Sequence, residues 1–268
     1  MNAATPHIQQ KQISLSCYTS RVREGEQFIP EHVFSYQLSG SITMHDGVRE
    51  YTFTEGSCRL TRRNNLMKFV KQPAATAPFL NISVYLDQAT LQRFSKTYGF
   101  TANPQQEQPP VIPIHATPFV KAYFDSLKPY DELIQEGNEV LLSLKQQEAI
   151  GILLQSNATL KDVLFDFAAP GRIDLEAFMQ QNFHFNTSLN RFAYLTGRSL
   201  STFKRDFEKT FGMPPGKWLQ QRRLQEAYYL IREKGASASD VYIEVGFEDL
   251  SHFSFAFKKM YGASPTRI

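Results

Sequence analysis

The sequence predicts an α+β protein of two domains: an antiparallel β half, a helical linker, and an all-α end made of two helix-turn-helix units joined by one long helix. Three observations predict it. Residues 31–86 alternate apolar and polar side chains, residues 117–183 carry apolar side chains at helical spacing, and the last seventy residues hold one small architecture twice. Phe203, Phe207, Lys209, Gly212 and Pro215 recur fifty positions later as Phe253, Phe257, Lys259, Gly262 and Pro265, and the helix starts Ser199 and Asp249 keep the same offset. Two copies are too few for a solenoid, so the repeat is a paired supersecondary unit.

In chain order, Phe34, Tyr36 and Leu38 alternate with polar residues, Asp46-Gly47 is a hairpin signal, and Tyr51 and Phe53 continue the alternation on the return strand. Ile82, Val84 and Leu86 give a further strand. Asp87 then caps a helix through Leu91 and Phe94 that Gly99 ends. Residues 101–118 hold five prolines and three glutamines, which predicts an irregular connector with regular β structure ending before it. Thr117-Pro118 starts a helical region marked by Val140, Leu141 and Leu144, then Ile150, Leu153 and Leu154, then Leu160, Val163 and Leu164.

Each copy of the repeat reads as helix, tight turn, helix. Leu189 to Leu195 precede a break at Gly197 and a helix from Leu200; Asp240 to Val245 precede a break at Gly246 and a helix from Leu250. The second helix of such a pair is shaped to enter a DNA major groove. Between the copies, Pro215 starts a helix of about twenty residues ending near Gly235, on which Trp218, Leu219, Leu224, Ala227 and Leu230 can pack against both units.

Composition narrows the function classes. At 268 residues, 42% hydrophobic and 21% charged, the chain has the make-up of a globular protein, and its sequence shows no export signal and no eighteen-residue apolar run, which predicts a cytoplasmic location. Cys17 and Cys58 lack metal-ligand spacing and read as reduced filler. The net charge of +3 is uneven: residues 171–268 carry 14 Lys and Arg against 10 Asp and Glu, whereas residues 1–170 carry 15 against 16. Arg198, Lys204, Arg205, Lys209, Lys217, Arg222 and Arg223 face only Asp206 and Glu208 in the densest stretch, a bias that attracts phosphates.

With these motifs in place, SLNRFAYLTGRSLSTFKRDFEKTFGMPPGKWLQQRRLQEAYYLI followed by DVYIEVGFEDLSHFSFAFKKMYGASP resembles the DNA-binding region of the AraC/XylS transcription regulators. The resemblance covers about a third of the chain densely, and the β segment is similar, less distinctively, to that family's cupin-like amino-terminal barrel. It implies a cupin-like regulatory domain over residues 1–115, a helical linker over 116–170 and a double helix-turn-helix DNA-binding domain over 171–268. It also implies promoter DNA and RNA polymerase as partners, with a small-molecule effector and a second copy of the chain as further candidates. The sequence departs from the family where Phe255 replaces a frequent Arg and Tyr242 a usually small residue.

The candidate DNA contacts follow from helix geometry. Phe203 and Phe207 with Leu200 form the core stripe of the first recognition helix, which turns Ser201, Thr202, Lys204 and Arg205 outward beside the N-cap Ser199. Arg205 suits a guanine edge; Lys204, Arg198 and Lys209 suit phosphate. In the second helix, Leu250, Ser251, His252, Ser254 and Phe255 are the candidates for the groove face, and the helix serves either thymine-methyl contacts or mainly positioning.

The β half assigns no effector residue: Phe34, Tyr36, Tyr51, Phe53, Phe69, Phe79 and Tyr85 could line a pocket or fill a core. His32 and His45 are too far apart for a cupin metal set, and Asp131-Glu132 reads as solvated surface, so no catalytic residue, metal or cofactor is assigned. Two alternatives stand beside the effector-controlled regulator. One is a regulator that is constitutive or controlled by a partner protein; the other is a cupin-type small-molecule enzyme with a helical domain that binds no DNA.

Overall fold

The computed structural model describes residues 12–103, 108–129 and 138–268. Two antiparallel sheets form the amino-terminal half. Strands β1 (Ile13–Tyr18), β3 (His32–Ser39), β6 (Cys58–Thr61), β8 (Phe79–Leu86) and β9 (Val111–Ile114) make a five-stranded sheet of order β1-β8-β3-β6-β9. Strands β2 (Val22–Ile29), β4 (Ser41–His45), β5 (Glu50–Thr54) and β7 (Asn65–Gln72) make a four-stranded sheet of order β2-β7-β4-β5. The Asp46-Gly47 hairpin closes β4 on β5, with Asp46 Oδ1 accepting from the amides of Val48 and Arg49 at 2.8 and 2.7 Å.

Two expectations are corrected here. The β region begins at Ile13 rather than near residue 31, and the proline-rich connector contains β9, which pairs with β6 through Val111 opposite Thr61 and Ile114 opposite Cys58. Pro113 is tolerated because β9 is an edge strand, where a missing amide costs no ladder bond to an inner neighbour.

Strand alternation divides the apolar residues between two cores. Phe34, Tyr36, Leu60, Val84 and Leu86 face helices, packing under α1 (Gln88–Tyr98), α2 (Pro118–Leu127), α3 (Glu139–Ser156) and α4 (Lys161–Leu164) with Leu91, Phe124, Ile150 and Leu153. Met44, Phe53, Met67, Phe69 and Phe79 fill the space between the sheets. The seven aromatics considered for a pocket therefore do not converge. Asp87 and Gly99 bound α1 as the sequence predicts, and Thr117 caps α2. The Asp131-Glu132 pair lies outside the described residues. No helix among the described residues is long and apolar enough to cross a membrane.

Six helices form the carboxy-terminal end: α5 (Leu175–Asn182), α6 (Leu189–Leu195), α7 (Leu200–Phe211), α8 (Pro215–Lys234), α9 (Ala238–Glu244) and α10 (Leu250–Tyr261). Phe192, Phe203, Phe207 and Leu219 share one core with half-buried Trp218; Leu224, Ala227, Val241, Phe253 and Phe257 share another. Helix α8 thus supplies both cores, its first half to one unit and its second half to the other. Its 20 residues span about 30 Å at the standard rise.

Candidate nucleic-acid interface

The two units are built alike because the local chemistry repeats. Ser188 and Ser199 cap α6 and α7 through the amides of Arg191 and Thr202; Ser237 and Asp249 cap α9 and α10 through those of Asp240 and His252. Each recognition helix ends on a left-handed glycine, Gly212 at φ 68° and Gly262 at φ 78°. The turns inside the units also need glycine. At Gly197, with φ +65°, a Cβ would lie 2.5 Å from the Gly171 carbonyl, and at Gly246, with φ +92°, 2.5 Å from the His184 oxygen. Neighbouring backbone passes so close that no other residue fits without displacement.

On α7, Phe203 and Phe207 are fully buried, Leu200 is half-buried, and Ser199, Ser201, Lys204, Arg205 and Lys209 are exposed with Thr202 partly so. The Arg205 side chain is 75% exposed and only loosely held, its Nη2 3.5 Å from Asp206 Oδ1. That exposure leaves its fork free to turn toward a base edge.

Arg198 lies differently from its outward reading. Its side chain is 8% exposed. Nε donates to Asp206 Oδ2 at 3.2 Å, and Nη1 donates to the carbonyls of Thr196 at 2.7 Å and Ile173 at 3.0 Å. Arg172 Nη2 donates to the same Asp206 oxygen at 2.6 Å. Partial burial works against ionisation of Asp206, but the Arg198 hydrogen bond and the Arg172 and Arg205 charges outweigh it and hold the carboxyl below its ordinary range. Arg198 in this pose braces the turn between α6 and α7.

The basic stretch is split in the same way. Arg223 Nε and Nη2 donate to the carbonyls of Phe183 and Phe185, each at 2.8 Å, and Arg222 pairs with Glu226 over the Phe183 ring. These cations hold α8 against the segment before α6. Lys204, Arg205, Lys209 and Lys217 are the members of that stretch left on the surface.

On α10, Phe253 and Phe257 are buried, Leu250, Ser251, His252 and Phe255 are exposed, and Ser254 is half-buried. Phe255 is 69% exposed, a costly place for a phenyl ring unless something covers it. The His252 ring stands edge-on to Phe247 at 5.5 Å. Lys258 and Lys259 are exposed on the last turn. Neither belongs to the predicted contact set, although the fifty-residue offset from Lys209 already marks Lys259.

The β half touches both units. Leu66 on β7 packs in the core of the first unit, Phe28 stands edge-on to Tyr194 at 6.2 Å, and the Arg191 guanidinium lies 4.2 Å from the Phe28 ring centre. Two residues along β7, Lys68 Nζ donates to the Glu244 carbonyl at the end of α9, in the second unit. Arg63 Nη2 reaches the carbonyls of Asp166 and Ala168 at 2.6 and 2.9 Å. One strand therefore contacts the two helix-turn-helix units two residues apart.

Residues 192–268 match the family model for a helix-turn-helix domain, and residues 32–163 match that for an ExsA N-terminal regulatory domain. The HTH-type transcriptional regulator ExsA of Pseudomonas aeruginosa is 25% identical over 86% of this chain and 83% of its own. The virulence regulon transcriptional activator VirF of Yersinia enterocolitica is 23% identical over 86% of each chain. A solved structure of ToxT from Vibrio cholerae is 13% identical with a TM-score of 0.42, covering 96% of this chain and 97% of that one.

Proposed function

The chain belongs to the AraC/XylS family of DNA-binding transcription regulators, and from that premise we propose that it activates transcription in the cytoplasm by laying α7 and α10 in successive major-groove segments of promoter DNA. The observation that carries this reading is the pair of capped recognition helices held on one 20-residue helix. A span of about 30 Å along α8 compares with roughly 34 Å between successive major-groove segments on one DNA face.

The division of labour follows exposure and chemistry. Arg205 reads a base edge with Ser201 and Thr202 beside it; Ser199, Lys204 and Lys209 meet backbone phosphates, and Arg198 acts behind them by fixing the turn. On α10, Leu250, Ser251, His252, Ser254 and Phe255 form the groove face, with the exposed Phe255 ring set against thymine methyls. Residues 1–115 act as the regulatory domain, 116–170 as the linker and 171–268 as the DNA-binding domain. An effector or partner acting on the first changes how the last engages DNA and RNA polymerase, and the contacts of β7 with both units support that route. The exposed Val140, Leu141 and Leu144 on α3 support self-association through the linker. No catalytic residue, metal or cofactor enters this reading.

Binding of Arg205→Ala and Lys209→Ala to a cognate and an unrelated duplex across a salt series tests the assignment. Arg205→Ala should cost about 1–3 kcal/mol on the cognate site alone, while Lys209→Ala should weaken both duplexes and reduce the salt slope by about 1. Equal losses on both duplexes for both variants would overturn the division.

A further inference from the structure

We propose that Arg223 is the positioning residue that sets how the two recognition helices stand relative to one another, by fastening residues 183–185 between the two units. Arg223 sits where α8 passes from one unit to the other, directly before Leu224 in the core of the second and four residues after Leu219 in the core of the first. Its fork is aimed at backbone: Nε donates to the Phe183 carbonyl and Nη2 to the Phe185 carbonyl, each at 2.8 Å. The guanidinium of Arg222 lies 4.3 Å from the Phe183 ring centre. Phe183 and Phe185 are themselves buried in the core of the first unit. The carbonyl between them, that of His184, meets the second unit, where a Cβ on Gly246 would lie 2.5 Å from its oxygen and 3.1 Å from Arg223 Nε. The turn between α9 and α10 thus rests on this segment and on the guanidinium that holds it.

Packing on a shared helix fixes how far apart two bodies lie along it, but leaves each free to roll and slide by small amounts against its side chains. A contact away from the helix axis stops that motion, and residues 183–185 supply it: they belong to the core of the first unit and carry the turn of the second. The guanidinium suits the task because its donors are set in a rigid plane and bond two carbonyls at once, which an ammonium on a flexible stem does not. The β half leans on the same segment. A Cβ on Gly47 would lie 3.3 Å from the Phe185 ring and 3.4 Å from His184 Cε1, and the Lys68 ammonium is 5.7 Å from the Phe185 ring centre. DNA makes the setting matter, since one base pair displaces a contact block by about 3.4 Å along the axis and about 35° around it.

This role rests on the regulator reading above. The test is binding of the full chain to the duplex it selects from a random library, and to versions with one base pair added or removed between the two contact blocks. The wild type should bind either altered duplex about tenfold more weakly. Arg223→Gln should bind the selected duplex about tenfold more weakly and differ by less than about threefold across the three. Arg223→Lys, which keeps the charge and loses the fork, should behave like Arg223→Gln. Gly246→Ala leaves Arg223 in place and pushes the turn off the His184 carbonyl, so it should flatten the spacing profile too, and it carries the test if the Arg223 variants show no melting transition. Folded Arg223 variants that lose affinity on all three duplexes by one factor, and so keep the wild-type discrimination, would overturn the role, as would a wild type indifferent to spacing. A wild type that binds no duplex specifically would overturn the regulator reading and this role with it.

Discussion

Asp206 gathers three arginines, and its carboxylate is the charge that lets Arg198 turn away from solvent. Its pKa is depressed in the folded chain, so the stability it contributes is present above the unfolded value and is lost as pH falls through the lowered folded one. Asp206→Asn should therefore melt below the wild type at pH 7, and the gap should close as the pH falls through the lowered folded value. His184 behaves in the same sense for a different reason. Burial first, then the charges of Lys68, His45 and Arg223, lower its pKa from 6.5 to about 3, so the folded chain holds the neutral ring. The unfolded chain takes up a proton below pH 6.5; the His184 contribution is complete above that value and declines as pH drops toward 3. His184→Gln should flatten that part of the Tm profile and leave the part due to His32, which is lowered to about 3 by its own burial. An unchanged slope would mean that the ring is hydrated where the β half meets the helices.

At the scale of elements, the turn glycines and the shared helix decide whether the recognition helices stand where DNA needs them. Gly197→Ala and Gly246→Ala each set a methyl 2.5 Å from backbone at positive φ, and each should cost about 2 kcal/mol or more in denaturant unfolding. Phe207→Ala, at a fully buried position, should cost about 3–5 kcal/mol. Most of these elements are legible in the sequence because helix signals are local: Ser199, Asp249, Pro215 and the glycines mark their ends one by one. The three strands outside the predicted β region, β1, β2 and β9, are all sheet edges. An edge strand needs no continuous apolar face, so VREGEQFI and VIPI carry little alternation to read. The exposed face of α7 is legible from spacing alone. The inward pose of Arg198 is not, since it depends on Asp206, Arg172 and the Ile173 carbonyl, brought together only by the fold.

Over the whole molecule, the β half and the helical end are joined by specific contacts through β7, and the linker offers an apolar surface on α3. Leu144→Glu, at a residue 54% exposed, should reduce self-association in sedimentation and leave Tm unchanged; a lowered Tm with unchanged association would mean that α3 packs within one chain. In this regulator two helix-turn-helix units would read one stretch of DNA and the β half would modify the reading. Selection of bound sites from a random DNA library, with the full chain and residues 171–268 run in parallel at physiological salt, tests it most directly. An enriched motif of two contact blocks about one helical turn apart is expected, with a different strength or spacing tolerance for the two proteins. No enrichment by either protein would contradict DNA recognition by α7 and α10, and identical selections would contradict control by the β half.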